Sequence, residues 1–557
     1  MSEKARKRIR LQLMWDRLIA VVEEQAQAIL KTAFGSVVRE AGDLSTGIYD
    51  LQGRMLAQAV TGTPGHVNTM AKAVSHFLER FPVTSMQPGD VFVTNDPWMG
   101  TGHLFDFVVV SPAYYRGKAI ALFASTCHMI DVGGRGFSAE ARSIYEEGVR
   151  IPHMKLRDGD RLNQIILSIL EANSRNPVEV KGDLLSLITS NDTAQVRLDE
   201  MMGEFGLDSL EELGESILEQ SYDAMKKVIE KLPEGNFYSE MKLDGYEREL
   251  LLRAKMSISK EHILVDYSGS SSASGYGINS PFCYTEAYTF FGLKSILAPE
   301  IPNNHGSLSL FSIEAEPGSA VNPLPPSPVS ARHVIGQMLP DLAFGCLSQV
   351  LTGEVPAESA GSIWVLPFSD DGHAKRSFNV MNVAMGGVGA RPGKDGLSVT
   401  AFPSGVGAIP VEVTESDSPI IFWRKEFLPD SGGAGEFRGG LGQVFEIGSS
   451  EEEVFTISAA TFDRMKNPPR GREGGSPGMK GNAGLTDGSS FNDKAVYRVP
   501  PGERILLELP GGGGLGNPQN REIQKIEEDL DAGYISREGA KKDYGYGELF
   551  CNERCFR

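Results

Sequence analysis

The chain has 557 residues, 41% hydrophobic and 23% charged, a composition that excludes a disordered chain and leaves room for two to four domains with large cores. Asp plus Glu outnumber Lys plus Arg by 73 to 54, and the net charge of −19 argues against nucleic acid or an anionic membrane as the main partner. No apolar run reaches the roughly 18 residues that a membrane span needs.

The basic N-terminus, Ser2 to Arg10, runs into an amphipathic helix and lacks the apolar core of a secretion signal. The stripe at positions 11, 14, 15, 18, 22, 26, 29, 30 and 33 predicts a helix over 11–34 packed on a core. Residues 47–57 read as a hairpin turning at Leu51-Gln52-Gly53, and 62–67 as a loop. His66 then precedes a helix over 70–81, where it reads equally as a cap or a site residue.

The stretch from Thr94 to Lys155 is the one around which the chain is organised. Two continuous apolar runs, Phe107–Val110 and Ala119–Ala124, predict strands covered on both faces. The short Arg116-Gly117-Lys118 link predicts an antiparallel hairpin. If it folds near Arg116, residue 128 pairs near residue 104, and the open end gathers His103, Asp106 and His128. Asp131 lies one turn beyond, and a return at Gly133-Gly134 brings His153 to the cluster. Imidazoles with a carboxylate suit zinc, manganese or iron(II), leaving positions open for water or substrate. The competing reading is that these are hydrogen-bonded polar residues at strand ends.

Helices are predicted over 161–173, 177–202 and 209–231, the last capped by Asp208 or Ser209. Pro233 to Asn236 marks a domain boundary. Strands over 238–243, 254–258 and 262–267 follow, then a small polar loop (268–277) and helices over 281–297 and 332–351. Strands joined by glycine turns are expected over 362–507; glycine, 63 in all, is concentrated from Gly386 onward, and the part beyond Gly386 reads as a structural and docking module. A charged helix over 519–540 closes the chain. The expected organisation is α+β and multidomain. An N-terminal mixed α/β domain (1–233) bears the site on its antiparallel hairpin. An α/β middle domain (234–350), a glycine-rich, mainly β domain (351–518) and a helical tail (519–557) follow.

Several motifs are absent. There is no G-x-x-x-x-G-K-[ST], H-E-x-x-H or paired C-x-x-C. Gly474-Gly475-Ser476-Pro477-Gly478 matches G-x-S-x-G, but its loop-like flanks make it a surface turn rather than a nucleophile elbow. The cysteines at 127, 283, 346, 551 and 555 are few and scattered, which fits a reduced cytoplasm.

Several stretches together resemble the hydantoinase B/5-oxoprolinase family, which includes the large subunits of acetone and acetophenone carboxylases. They are Asn95-Asp96-Pro97 with Gly100 and His103–Asp106, His128–Gly134, and Tyr145–Gly148 through Ile151-Pro152. Further on they are Asp266–Ser270, Asn279-Ser280-Pro281, Ile301–Gly306, Asp430–Gly435 with Arg438–Gly440, and Pro510–Gly516. The resemblance implies one half of an ATP-dependent machine that hydrolyses cyclic amides such as hydantoin, 5-oxoproline or lactams, or carboxylates ketones. It implies a separate hydantoinase A-like subunit that binds ATP, hence a hetero-oligomer, and a divalent metal (Zn, Mn or Fe) in this half. The carboxylase metal set of two His and one Asp maps onto His128, Asp131 and His153, leaving Asp96, His103 and Asp106 as orienting groups or general bases. The chain departs from the family where a His-His pair usually precedes Ala-Asp: here the run is His128-Met129-Ile130-Asp131. A stand-alone metallohydrolase and a non-catalytic scaffold for an ATPase are the alternatives.

Overall fold

The computed structural model describes residues 3–370, 372, 377–450, 454–491 and 493–547. Cys551, Cys555 and His373 lie outside the described residues. The chain is of the mixed α/β kind, with several sheets in which antiparallel pairing prevails. It divides into two compact units built from non-consecutive segments, the first of 1–237, 255–268 and 275–332, the second of 238–254, 269–274 and 333–557.

The first unit is organised on seven strands: β1 (Leu44–Tyr49), β2 (Met55–Gln58), β3 (Val91–Thr94), β4 (Asp106–Tyr115), β5 (Lys118–His128), β6 (Met154–Asp158) and β7 (Arg161–Leu162). Their order is β2-β1-β5-β4-β3-β6-β7, so β4 and β5 are central. This explains their continuous apolar sequence. Ala113, Ala121 and Phe123 join a core with Met14, Leu18 and Val22 of helix Glu3–Thr32 and Leu198 of helix Pro177–Phe205. Val108, Val110, Leu122 and Ala124 face the other way, packing with Val67, Met70, Val74 and Phe77 of helix Pro64–Arg80. Each fully buried Val, Leu, Met or Phe among them contributes about 1.5–3 kcal/mol relative to exposure.

The expected β4–β5 hairpin forms, and its turn takes only two residues. Arg116 and Gly117 both have positive φ, 49° and 79°, as a type I′ turn requires, and Tyr115 pairs with Lys118. The partner of His128 is Asp106, two residues from position 104, because the turn is centred between 116 and 117 and a bulge at Ala113/Tyr114 shifts the register further. The helix expected over 70–81 begins at Pro64. Proline's fixed φ and missing N–H suit a first helical turn, so His66 sits inside the helix instead of ahead of it. Beyond the seven strands, Ile263–Asp266 pairs parallel with Phe311–Glu314 and antiparallel with Lys255–Ile258. Helix Phe282–Leu297 packs on helix Pro64–Arg80.

In the second unit two four-stranded sheets face one core. Trp364, Leu366, Phe368, Phe455, Ile457 and Val499 come from one; Phe445, Ile447, Ile505 and Leu507 come from the other. Beside this core the glycines do something other than turn the chain. Gly511 to Gly514 all lie outside the left-handed region, and the turn comes only at Gly516 (φ 74°). Each packs backbone on backbone: a Cβ at Gly512 would lie 2.1 Å from the Val388 carbonyl oxygen, and one at Gly513 would lie 2.2 Å from that of Arg470. Main-chain hydrogen bonds join these segments laterally, as from Gly512 N to Gly440 O (2.9 Å) and from Gly513 N to Glu358 O (2.8 Å). Gly475 and Ser476 belong to this packing, and neither strand nor helix flanks them, so the G-x-S-x-G match is no nucleophile elbow. The tail forms two helices, Ile523–Asp531 and Arg537–Tyr544, broken at Gly533 (φ 70°) where one was expected. Arg521 anchors it, pairing with Asp395 and Asp529 in a buried network that includes Arg438.

Candidate metal centre

Asp106 opens β4 and His128 closes β5, directly opposite in register, so both side chains leave the same face of the sheet. His103 comes from the loop between β3 and β4. Asn95 fixes that loop: its Nδ2 donates to the carbonyls of Leu104 (2.7 Å) and Val149 (2.9 Å), and its Oδ1 accepts from Ile151 N (2.6 Å). His66 enters from helix Pro64–Arg80. All four side chains are buried.

One ligand atom from each of His103, Asp106 and His128 lies within 4.8 Å of the others, the one such triad of His, Cys, Asp or Glu among the described residues. Each atom's surroundings are informative. His103 Nδ1 donates to the Ser330 carbonyl at 2.9 Å. Burial and the Arg332 charge push the His103 pKa down to about 4, so the ring is neutral and its Nε2 is a lone pair. That lone pair lies 2.7 Å from Asp106 Oδ1, yet neither atom has a hydrogen-bond partner. His128 Nδ1 is likewise buried without a partner, and burial depresses the His128 pKa too. Burial opposes ionisation of Asp106, but His103, His66 and Arg332 outweigh it and hold the carboxyl well below its usual range. Two neutral imidazoles and a carboxylate, each with a buried atom that lacks a hydrogen-bond partner and with one ligand atom of each within 4.8 Å of the others, are the donor set that a divalent cation satisfies.

The carboxylate's other oxygen is held from outside. Asp106 Oδ2 accepts from Arg332 Nη2 and lies 2.9 Å from His66 Nε2. Arg332 is itself fixed by Nε donating to Thr101 O (2.8 Å) and by stacking 4.0 Å over the Tyr284 ring. Gly102, at φ 101°, makes room for it: a Cβ there would meet Arg332 Cδ at 2.6 Å. On the far side of His66, Nδ1 lies 3.4 Å from Asp43 Oδ1. Burial lowers the His66 pKa, but Asp106 and Asp43 together overcome this and raise it. Phe105 stacks on His128 with 5.4 Å between ring centres, and Phe137 lies edgewise to His103, walling the cluster with apolar rings.

The structure brings together three of the six residues read from the sequence, His103, Asp106 and His128. It places the other three, Asp96, Asp131 and His153, outside that triad. Asp131 Oδ1 accepts from Gly133 N (3.1 Å) and Arg175 Nη1 (2.7 Å), while Oδ2 accepts from Arg175 N and Ser174 Oγ. It thus ties the Gly133-Gly134 loop to the end of helix Gln164–Asn173 and joins no ligand cluster. His153 stands edge-on to Phe77, 4.4 Å between ring centres, with burial lowering its pKa. Asp96 Oδ1 accepts from Trp98 N (3.0 Å) and Met99 N (3.1 Å), shaping its own loop. Asp43, Arg332, Glu147 and Ser330 escaped the sequence reading. Arg332 in particular lies in a segment read only as the start of a helix.

Residues 7–518 match the family model for hydantoinase B/oxoprolinase. The chain belongs to that family. It is 28% identical over 566 residues to a Pseudomonas sp. (strain NS671) protein named provisionally as the B component of a D-/L-hydantoinase, covering 96% of this chain and 94% of the relative. Its fold resembles the crystal structure of an ATP-dependent caprolactamase from Pseudomonas jessenii (TM-score 0.88, 24% identity, 96% of each chain). It also resembles a nucleotide-free acetone carboxylase of ATP-dependent mechanism (TM-score 0.85, 20% identity, 97% of this chain and 80% of that one). Membership in this family supports an enzymatic role. Among the described residues no helix is long and apolar enough to cross a membrane.

Proposed function

We propose that this hydantoinase B-type chain is the metal-bearing half of an ATP-dependent enzyme. It would hydrolyse a cyclic amide or carboxylate a ketone together with a separate hydantoinase A-like subunit that binds ATP. The observation that carries the reading is the 2.7 Å approach of His103 Nε2 to Asp106 Oδ1 without a hydrogen bond, beside the unpartnered His128 Nδ1. His103, Asp106 and His128 would hold the ion, of zinc, manganese or iron type by donor chemistry. Asp131 then serves the loop beside it. A divalent ion in such a site supplies Lewis acidity toward a carbonyl oxygen or an ionisable water.

The protein's own contribution follows from the geometry. His103 keeps its proton on Nδ1, against Ser330 O. Arg332 holds Asp106 ionised and fixes its orientation. His66, between Asp106 and Asp43, is the group placed to take up or release a proton at Nδ1. Phe105 and Phe137 exclude water from one side. The division of labour is supported by the absence of a nucleotide-binding motif in this chain and by the naming of its hydantoinase relative as one component of an enzyme.

The test is reconstitution. ATP hydrolysis coupled to turnover of hydantoin, 5-oxoproline, caprolactam or acetone is measured for this chain, a hydantoinase A-like chain, and both together. Coupled turnover only in the mixture is expected. Robust coupled ATP hydrolysis by this chain alone would overturn the two-part reading. Metal-dependent turnover without ATP would establish a stand-alone hydrolase. Activity unchanged in the Asp106→Ala variant would leave only a scaffold.

A further inference from the structure

Glu147 ends the short helix Ile144–Glu147 and is 1% exposed, yet it forms no ion pair that its burial would require. Its Oε1 accepts two backbone hydrogen bonds, from Val329 N (2.6 Å) and Ser330 N (2.9 Å). Its Oε2 is buried with no hydrogen-bond partner. Burial raises its pKa to about 8 against the pull of the two N–H donors, so near neutral pH it is largely the uncharged acid. Glu147 grips the N–H of the same residue whose carbonyl, Ser330 O, accepts from His103 Nδ1. Two residues on, Arg332 holds Asp106. The same segment is pinned elsewhere by Ile144 N to Pro326 O (3.0 Å), Asn279 Nδ2 to Pro328 O (3.0 Å) and Ala331 N to Gly277 O (2.7 Å). The Ala331 contact holds the far side of the Ser330 carbonyl's peptide, and Glu147 holds the two N–H groups leading into it, one of them on Ser330 itself.

We propose that Glu147 is a positioning residue for His103: by holding the Val329 and Ser330 N–H groups it fixes the backbone that leads into the Ser330 carbonyl, which keeps the His103 proton on Nδ1 and leaves Nε2 bare toward Asp106 and His128. The inference rests on the metal-centre reading above. A neutral imidazole carries one proton, and whichever nitrogen keeps it cannot be a ligand. A carbonyl held against Nδ1 settles that choice before any ion arrives, and partners of this outer kind govern affinity by about 10–100-fold. The carboxyl is needed here for its acceptor oxygen and its reach, not for its charge. Glu147→Gln keeps both, whereas Glu147→Leu keeps the volume and leaves two buried N–H groups unpaired.

The experiment uses the full-length metal-free chain labelled with 15N at histidine, and Co2+ as the probe ion. In wild type and in Glu147→Gln, His103 should show the Nδ1–H tautomer, and Co2+ affinity should agree within about 3-fold. In Glu147→Leu the Nε2–H form should appear, and Co2+ should bind about 10-fold more weakly. Should Glu147→Leu fail to fold, Glu147→Asp replaces it, being too short to reach both N–H groups, with the same expectation. A wild-type tautomer or wild-type Co2+ affinity in the folded disruptive variant overturns the proposal while leaving the metal centre standing. Failure of the wild-type chain to take up Co2+ overturns the metal centre, and this role of Glu147 with it.

Discussion

Replacing His128 and Asp131 in turn separates two ways of reading the same four-residue stretch. The His128→Ala change removes an imidazole whose Nδ1 makes no hydrogen bond and whose ring is held by Phe105 and Phe137. Its loss therefore leaves no protein donor stranded. The structural ions of zinc peptides bind with about 10–16 kcal/mol over four ligands. One ligand is then worth about 2.5–4 kcal/mol, or on the order of 10²–10³-fold in affinity. Asp131→Ala does the reverse. It strands Gly133 N, Arg175 N and the Arg175 guanidinium, all of which that carboxylate accepts from. Hydrogen bonds to a charged group are worth about 1.5–3 kcal/mol each, and a shared acceptor gives less than the sum, so a loss of about 3 kcal/mol is expected. The assay is metal content after dialysis against Zn2+, alongside thermal unfolding of the metal-free chains. His128→Ala should emerge metal-poor, its unfolding lowered only by the cavity that the missing ring leaves beside Phe105 and Phe137. Asp131→Ala should emerge metal-loaded and unfold several degrees lower. Full occupancy in His128→Ala, or a metal-free Asp131→Ala with unchanged unfolding, would refute the reasoning.

Arg332→Met should reduce ion affinity about 10–100-fold by releasing Asp106 Oδ2, read by competition with a chelating dye. Metal uptake should stay near its plateau at pH 6 and fall off only toward pH 4–5, because the His103 ring is neutral in the folded chain above about pH 4; uptake halved already at pH 6.5 would contradict this. Glu147 binds its proton in the folded chain up to about pH 8, but in the unfolded chain only to its usual value of 4.5. Between those limits the folded state holds more protons, so stability declines with rising pH by up to about 1.4 kcal/mol per pH unit. Glu147→Gln should flatten that slope in unfolding measured across pH 5–8. Gly513→Ala, whose methyl would lie 2.2 Å from Arg470 O, should cost about 1–3 kcal/mol or more of second-unit stability. Its Zn2+ content should not change.

Much of the site was legible because its placement is local. Two apolar runs joined by Arg116-Gly117 admit only a tight hairpin, and a hairpin forces its two open ends together, so Asp106 and His128 had to meet. His103 follows because three residues cannot carry the chain far from Asp106. Composition and the missing nucleotide motif likewise follow from sequence alone. What the sequence could not decide are the contacts made across long separations. Whether Asp131 turns toward the cluster or away depends on Arg175, 44 residues on, and an i, i+3 spacing carries no information about that partner. Arg332 and Glu147 reach the site through a segment more than 180 residues from either the hairpin or the Glu147 helix, and no periodicity marks it. The glycines of 511–514 look the same in sequence whether they turn or pack. Only the neighbouring backbones at 388, 431, 434 and 470, which leave no room for a Cβ, explain why each has no side chain.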